Sequence, residues 1–124
     1  MLVVCVVFVV AGCGTSSAEK AEKRYDALFS CLRRAGLHGR KDDGRTWPRN
    51  MVFLSSRAVV GAVVYLTDRE ARQAEDENRR YNAGIRQFGH LAALSHGVRG
   101  EGVFVRYTAR GAQTRAAIIG CARG

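Results

Sequence analysis

The sequence predicts an α+β fold in which helices pack against an antiparallel sheet of about four strands, in the order α-β-β-α-β-β-α. Apolar residues recur with helical spacing near the start, the middle and the end of the chain. Valine-rich runs occupy the two intervals between these segments, and turn residues separate the runs. Elements of this kind bury their apolar faces as a two-layer sandwich, and a chain of 124 residues suits a single domain.

The first helix is predicted from the stretch AEKAEKRYDALFSCLRRAGLHG. Its apolar residues follow the i, i+3, i+4, i+7 pattern of one helical face, namely Tyr25, Leu28, Phe29 and Leu32. Gly36 or Gly39 can supply the left-handed residue that ends the helix. Cys31 lies at the flank of the apolar face, where it can reach a neighbouring element.

The first pair of strands follows a loop. Residues 40–50 contain Asp42-Asp43-Gly44 and the only proline, Pro48, which together indicate turns. The runs MVFLSS and AVVGAVVYLTD, rich in β-branched and aromatic residues, then predict a hairpin. Both runs are almost continuously apolar, so we expect a helix to cover one face of the sheet and another element to shield part of the other face.

A long second helix is predicted to begin at Thr67, whose spacing to Glu70 is that of a capping box. An apolar stripe with one polar interruption follows, in steps of three and four residues: Ala71, Ala74, Asn78, Tyr81, Ile85, Phe88 and Ala92. Charged pairs at i,i+4 spacing, each contributing about 0.2–0.5 kcal/mol to helix stability, are Asp68/Arg72, Glu75/Arg79 and Asp76/Arg80. Gly84 and Gly89 both weaken the helix, so the sequence does not assign its last residue.

The last third of the chain predicts a second hairpin and a short helix. Residues 94–98 alternate as in a strand, residues 100–102 form a glycine-rich turn, and residues 103–107 form the partner strand. The closing segment GAQTRAAIIGCARG then places four residues on one helical side, namely Thr114, Ala117, Ile118 and Cys121.

The chain begins with an uncharged apolar run from Leu2 to Ala11. As a helix this run would be about 15 Å long, half of the ~30 Å hydrocarbon core of a bilayer, so it does not predict a membrane span. Its length is typical of the apolar region of a signal peptide, and the small residues Ala11 and Gly12 suit a cleavage site. The tetrapeptide Val10-Ala11-Gly12-Cys13 resembles the lipobox of bacterial lipoproteins. In that family the cysteine thiol receives a diacylglyceryl group, and the signal peptide is cut off just before it.

The resemblance implies a signal peptide over residues 1–12, a small, polar, lipidated tether over residues 13–18, and one folded domain over residues 19–124. Signal peptides normally begin with positive charge, whereas no Lys or Arg precedes this apolar run. Either the true start lies upstream of Met1, or the signal is atypical. An uncleaved anchor, soluble export and a buried β-strand over residues 2–11 are the alternative interpretations.

The lipoprotein interpretation gives the four cysteines different roles. Cys5 leaves with the signal peptide and Cys13 carries the lipid, so Cys31 and Cys121 remain as a pair in an oxidising compartment, where disulfides persist. A metal site and two free thiols are the alternatives, but zinc requires clustered ligands, and the sequence has no C-x-x-C or H-x-x-x-H spacing. We therefore predict a disulfide between neighbouring helices, with Cα atoms about 4.4–6.8 Å apart.

The body of the chain is similar to small lipoproteins of unknown function that are common in Arg-rich, high-GC bacteria. These proteins pair a CLRRAG-like cysteine with a GC dipeptide near the end. The corresponding motifs here are residues 31–36 and residues 120–121. This resemblance transfers no activity.

The chain is basic, with 20 Lys and Arg residues against 11 Asp and Glu residues and a net charge of +9. Such a charge is typical of nucleic-acid binding, but an exported protein rarely meets nucleic acid, and the basic residues form pairs rather than long runs. We therefore expect no nucleic-acid partner. The alternatives are a solvated basic surface and contacts to anionic lipids or cell-wall polymers, for which the candidate residues are Arg33, Arg34, Arg40, Lys41, Arg79 and Arg80.

No catalytic or cofactor motif occurs in the sequence. His38, His90 and His96 have no carboxylate at a recognisable spacing, no serine lies in a G-x-S-x-G context, and no phosphate-binding or calcium-binding loop is present. We therefore expect no catalytic residue, cofactor or metal site. The predicted function is that of a lipoprotein on the outer face of the bacterial cytoplasmic membrane, with a small non-catalytic binding domain. A structural envelope protein and an unrecognised hydrolytic enzyme are the alternatives.

Overall fold

The computed structural model describes residues 16–88 and 96–124, which form three helices and one five-stranded sheet. In chain order, the elements are α1 (Ser17–Arg34), β1 (His38–Lys41), β2 (Arg49–Leu54), β3 (Ala58–Val64), α2 (Asp68–Phe88), β4 (His96–Gly100), β5 (Val103–Ala109) and α3 (Ala112–Arg123). The sheet is antiparallel throughout, in the order β1-β2-β3-β5-β4. The predicted α+β class is confirmed, with five strands in place of about four.

The additional strand is β1, which lies where the sequence predicts the end of the first helix and the start of a loop. Its residues, HGRK, lack the apolar alternation that predicts a strand. The strand forms at the edge of the sheet by backbone pairing, with His38 opposite Leu54 and Lys41 opposite Met51. Short edge strands with charged side chains protect a sheet from pairing with other chains. The element order is therefore α-β-β-β-α-β-β-α.

Helix α1 has the predicted apolar face and the predicted glycine end. The Oγ atom of Ser16 accepts a hydrogen bond from the Glu19 N–H at 3.1 Å, which caps the first turn. Gly36, just beyond the helix, has a φ of 88°, the left-handed conformation that glycine adopts most easily. Three of the four predicted face residues are buried and the fourth is partly buried: Tyr25, Leu28 and Leu32, with Phe29.

We call the face of the sheet that α1 and α3 cover the inner face. Its side chains are buried by these two helices, and those from the strands are Met51, Phe53, Ala58, Val60, Ala62, Val64, Val98, Val103, Val105 and Tyr107. Tyr25 of α1 is also fully buried here, and its hydroxyl donates to the Asn50 carbonyl at 2.8 Å and accepts from the Asp42 N–H at 2.9 Å. This layer is the hydrophobic core, and backbone groups satisfy the hydroxyl of its Tyr25.

The predicted disulfide between Cys31 and Cys121 is present and joins α1 to α3. The two Cα atoms are 5.6 Å apart, which lies inside the range that a disulfide requires. The prediction that the first and last helices lie side by side is therefore confirmed.

Helix α2 lies on the opposite side of the sheet, the outer face, where it packs against β4 and β5. The described helices therefore cover both faces of the sheet, which gives three layers in place of the predicted two. The start of α2 matches the predicted capping box, since Thr67 Oγ1 accepts from the Glu70 N–H at 3.4 Å. Ala71 and Asn78 of the predicted stripe are buried, whereas Tyr81 is 56% exposed. The side chains of the later stripe residues Ile85 and Phe88, and the whole of Ala92, lie outside the described residues.

The charged side of α2 forms ion pairs largely as the spacing predicts. Arg72 Nε lies 2.9 Å from Asp68 Oδ2, and Arg79 Nη2 lies 3.1 Å from Glu75 Oε1. Asp76 pairs with Arg79, at 3.3 Å, instead of with Arg80. Arg79 therefore bridges two carboxylates.

Candidate binding groove

The outer face of the sheet is covered over β4 and β5 and exposed over β2 and β3. Three large apolar side chains lie in the exposed region: Val52 is 49% exposed, Leu54 63% and Val59 50%. Together with Arg40 and Gly61, which lie on the same face, we call these residues the open half. The sequence predicts that another element shields part of the second face of β2 and β3; among the described residues, α2 instead packs on the neighbouring strands β4 and β5 and only borders this region.

Strand register sets the order of residues across the outer face. Pairing between neighbouring strands aligns Arg40, Val52, Gly61, Arg106 and Gly97 in one row. Directly opposite residues in an antiparallel sheet project from the same face. The row therefore has an apolar centre, at Val52 and Gly61, with an arginine on each side.

A groove with a volume of about 430 Å³ runs between α2 and the open half. Its floor and wall are mainly apolar, formed by Val52, Gly61, Val63, Ala74 and Phe104. Its polar groups come from Asn50, Tyr65, Glu77 and Arg106. We call this feature the outer groove. Its volume, and its apolar lining with a few polar groups, are typical of ligand-binding sites, which measure about 300–1,000 Å³.

Tyr65 is the titratable group of the groove whose environment changes its acidity. Partial burial raises the pKa of the Tyr65 phenol, the nearby Glu77 and Glu70 carboxylates raise it further, and the Arg106 guanidinium lowers it. The phenol is therefore neutral at physiological pH and can both donate and accept a hydrogen bond. It supplies a polar point at the rim of an apolar floor.

The glycine at the groove floor differs from the other strand glycines. A Cβ atom at Gly97 would overlap the Phe104 ring and the Asn78 amide, and one at Gly100 would overlap the Ala122 carbonyl of α3. These two glycines are required by close packing. A Cβ atom at Gly61, in the central strand β3, would meet nothing within 4 Å. Glycine weakens a strand interior and often marks a place where a ligand or another backbone comes close, and no contact inside the described chain explains Gly61.

Asp68, at the start of α2, fastens this helix to the β4–β5 hairpin beside the groove. Its Oδ1 atom accepts hydrogen bonds from the Gly102 N–H at 3.0 Å and from Arg99 Nη1 at 3.1 Å, so it ties α2 to the β4–β5 hairpin. The Gly102 hydrogen bond contributes most to lowering the pKa of this carboxyl below its ordinary value, and Arg72 and Arg99 lower it further, while partial burial opposes them. The ionised carboxylate is thus the form that fastens the helix.

The six candidate basic residues do not form one surface. Arg33 and Arg34 end α1, on the inner side of the sheet, whereas Arg79 and Arg80 belong to α2, on the outer side. Lys41 pairs with Asp26 at 3.2 Å. Arg40 alone among the six belongs to the open half.

The remaining residues of chemical interest are scattered. His38 is exposed on β1, the His96 ring stacks on Tyr107 with centroids 5.7 Å apart, and His90 lies outside the described residues. Within residues 16–88 and 96–124, no three His, Cys, Asp or Glu residues come together as a metal site would need. In the same ranges, none of the helices has the length and apolar composition needed to cross a bilayer. Cys13 and the lipobox lie outside the described residues.

Comparison with known proteins gives no relative: no family model matches the chain, and neither does any curated protein or solved structure.

The groove residues were not among those that sequence reasoning selects. Tyr65 and Arg106 look like ordinary polar positions in strand-forming segments, and they are 41 residues apart in the chain (65 to 106). The one available signal was Gly61, a glycine in the middle of the valine-rich run AVVGAVV. Such a glycine indicates a bulge, or a place where a ligand or another backbone comes close to the strand. It therefore marks this part of the sheet as a candidate binding site.

Proposed function

We propose that this protein is a lipoprotein of the bacterial cell envelope whose folded domain binds a ligand without catalysing a reaction. The lipid on Cys13 anchors it to the outer face of the cytoplasmic membrane, and the outer groove is its binding site. The observation that carries the binding proposal is the apolar floor of the groove, which continues into the exposed side chains of Val52, Leu54 and Val59. Exposed apolar surface of this kind commonly marks an interaction site.

The polar groups of the groove fit binding better than catalysis. Nucleophilic catalysis needs a nucleophile and a base within hydrogen-bond reach of each other. The outer groove presents a neutral phenol, a carboxylate, a guanidinium and an amide, from Tyr65, Glu77, Arg106 and Asn50, around an apolar floor. Groups of this kind orient a bound molecule and select its charge.

The short distance between Cys13 and α1 supports a domain held close to the membrane. The helix begins at Ser17, and an extended chain spans at most about 3.6 Å per residue, so the tether from Cys13 is about 15 Å long or less. At that distance basic side chains are attracted to anionic lipids or cell-wall polymers. Because the six candidate basic residues are divided between the two sides of the sheet, only some of them can face such a surface at one time.

The anchor is tested by mass spectrometry of the native protein, which reports the cleavage site and the acyl chains together. We expect cleavage before Cys13 and a diacylglyceryl group, including palmitate, on its thiol. The variant Cys13→Ser should lose the lipid and leave the membrane fraction or remain as precursor. Cys5→Ser is the matched control, because it removes a thiol from the same segment and should leave processing unchanged. An unchanged mass and membrane partition in Cys13→Ser would exclude the anchor.

The groove is tested with an anilinonaphthalene sulfonate dye, an apolar anion whose fluorescence rises on exposed apolar surface. We expect Gly61→Val to reduce the dye signal at least several-fold, because its side chain occupies the empty space on the groove floor. Ala116→Val, which adds apolar atoms at an exposed position of α3 behind the inner face, should leave the signal unchanged. Equal dye binding by all three proteins would exclude the groove as the binding site.

A further inference from the structure

Among the described residues, the two faces of the sheet differ by one helix. On the inner face, α1 packs against β1 and β3, and α3 packs against β4 and β5. On the outer face, α2 also packs against β4 and β5 and so is the counterpart of α3. Within residues 16–88 and 96–124, no element takes the place opposite α1. We propose that an amphipathic helix of a partner protein, with acidic residues on both sides of its apolar stripe, docks in this place.

The dimensions of the open half fit one helix. Neighbouring strands lie about 4.8 Å apart, so β1 to β3 span about 10 Å, which is the diameter of a helix with its side chains. Along the strands, Val63 and Val59 are about 13 Å apart, or between two and three helical turns. A helix laid along this floor therefore meets it through three or four residues at i, i+3, i+4 and i+7 spacing.

The surface of the open half also suits a helix. Val52, Leu54 and Val59 offer half-exposed apolar side chains, and α2 forms a wall beside them. The empty space over Gly61 lets a rounded apolar ridge approach the strand backbone. A helix in this groove would lie against α2 on one side and the sheet beneath, as α1 lies against α3 and the sheet on the inner face.

The charges on either side of the open half determine which residues the flanks of the docked helix must carry. Arg40 on β1 and Arg106 on β5 lie in one cross-strand row, three strand spacings apart, which is about 14 Å. Neither arginine forms an ion pair within the described chain. Both are exposed, so glutamate or aspartate on the two flanks of a docked helix can reach them. Complementary charge of this kind sets the choice of partner and the rate of association.

The recess beside α2 excludes flat partners. The helix stands about 10 Å above the sheet that it covers, so the open half lies below its outer surface. A bilayer, or the sheet of a second copy, would meet α2 before it reached Val52. The exposed side of α2 is itself charged, since it carries both basic and acidic residues, namely Arg72, Arg79, Arg80, Asp76 and Glu77, and it does not fit the apolar floor of another copy. A rod-shaped partner fills the recess.

The test uses the full chain, immobilised through a tag fused after Gly124, and synthetic labelled peptides about 18 residues long. The acidic peptide has leucine along one helical stripe and glutamate on both flanks. The basic peptide replaces each glutamate with lysine, and a scrambled peptide keeps the acidic composition without the stripe. We expect the acidic peptide to bind at least tenfold more tightly than the other two, and binding to weaken as salt rises.

Charge reversal gives the decisive comparison. The double variant Arg40→Glu/Arg106→Glu should lose at least tenfold in affinity for the acidic peptide and gain affinity for the basic one. The matched control is Arg33→Glu/Arg34→Glu, which changes the net charge equally at the far end of α1 and should bind as the wild type does. Gly61→Val should lower the affinity for the acidic peptide at least tenfold, because the valine side chain occupies the empty space on the groove floor. Thermal unfolding of each variant verifies that the domain remains folded.

Three results would overturn the inference: equal binding of acidic and scrambled peptides, equal weakening by the two double variants, or no effect of Gly61→Val on peptide binding. Binding of phosphatidylglycerol vesicles or of a second copy through Arg40 and Arg106, with no peptide binding, would assign the surface to those partners instead. This inference rests on the outer groove being the binding site. If Gly61→Val abolishes the dye signal but no peptide binds, the groove proposal stands and the helix proposal fails.

Discussion

On the inner face, the side chains of Met51 and Phe53 are at most 1% exposed, whereas their neighbours on the same strand, Val52 and Leu54, are 49% and 63% exposed on the outer face. The inner layer is closed by two helices and a disulfide. In the part of the chain that the structure describes, the outer layer has one helix and a groove. Strand β2 is apolar on both sides, so its composition alone does not separate the face that supports the fold from the face that is available for binding.

The inner face depends most on its covalent link. The double variant Cys31→Ala/Cys121→Ala opens a link between residues 90 apart in sequence, and we expect a loss of about 4–5 kcal/mol in the free energy of unfolding from chain entropy. Urea denaturation of the variant and the wild type measures this loss. Reductant should lower the melting temperature of the wild type and leave that of the double variant unchanged. Equal stability of the two proteins would show that packing alone holds α1 against α3.

Truncation of two neighbouring residues on β2 should change the free energy of unfolding by very different amounts. Phe53→Ala removes a fully buried ring and should cost about 3–5 kcal/mol. Leu54→Ala removes an exposed side chain and should change stability by no more than about 0.5 kcal/mol. Denaturant unfolding of the two variants compares them directly, and a large loss in Leu54→Ala would mean that the outer face is closed in solution.

Two strand glycines, one on each face of the sheet, allow the same comparison of stability effects when a methyl group is added. Gly100→Ala places a methyl group against the Ala122 carbonyl, and we expect a loss of about 1–3 kcal/mol from overpacking. Gly61→Ala meets nothing and should stabilise the strand by about 0.5–1 kcal/mol. Melting temperatures of both variants test this. Destabilisation by Gly61→Ala would indicate that the space above the strand is already filled.

The smallest of these effects is the pH dependence of the contact that fastens α2. The ordinary pKa of Asp68 is 3.8, and in the folded protein the pKa is lower. The unfolded chain therefore binds the proton first as pH falls, so the stabilisation from this carboxylate is complete above about pH 5 and is lost through pH 4 and below. Melting temperatures measured from pH 6 to pH 2 should fall less steeply in Asp68→Asn than in the wild type. Glu101→Gln is the control at an 81% exposed carboxylate, and an equal change in both variants would contradict the assignment to Asp68.

The elements that the sequence predicts well are those with local signals. The face of α1 repeats at helical spacing, Thr67 and Glu70 mark the start of α2, and a count of cysteines selects the pair that the fold brings together. The sequence missed β1 because a four-residue polar edge strand depends on backbone pairing with β2, which its side chains do not encode.

The groove could not be predicted because it depends on which side of the sheet each helix takes. An apolar stripe on α2 indicates that the helix buries one face, but not which face of the sheet receives it. One of the contacts that join α2 to the outer face is between Asp68 and Gly102, 34 residues apart. Tyr65, Glu77 and Arg106 come together only through this tertiary packing, which no local sequence pattern encodes.

The positions of Cys31 and Cys121 also determine how the molecule responds to proteolysis. All five described strands and α2 lie between these two residues. A single cut in any loop from residue 35 to residue 111 therefore divides the chain without separating its halves, and the C-terminal piece remains covalently attached to α1. Under the proposed lipid anchoring at Cys13, a nicked molecule keeps both parts at the same membrane.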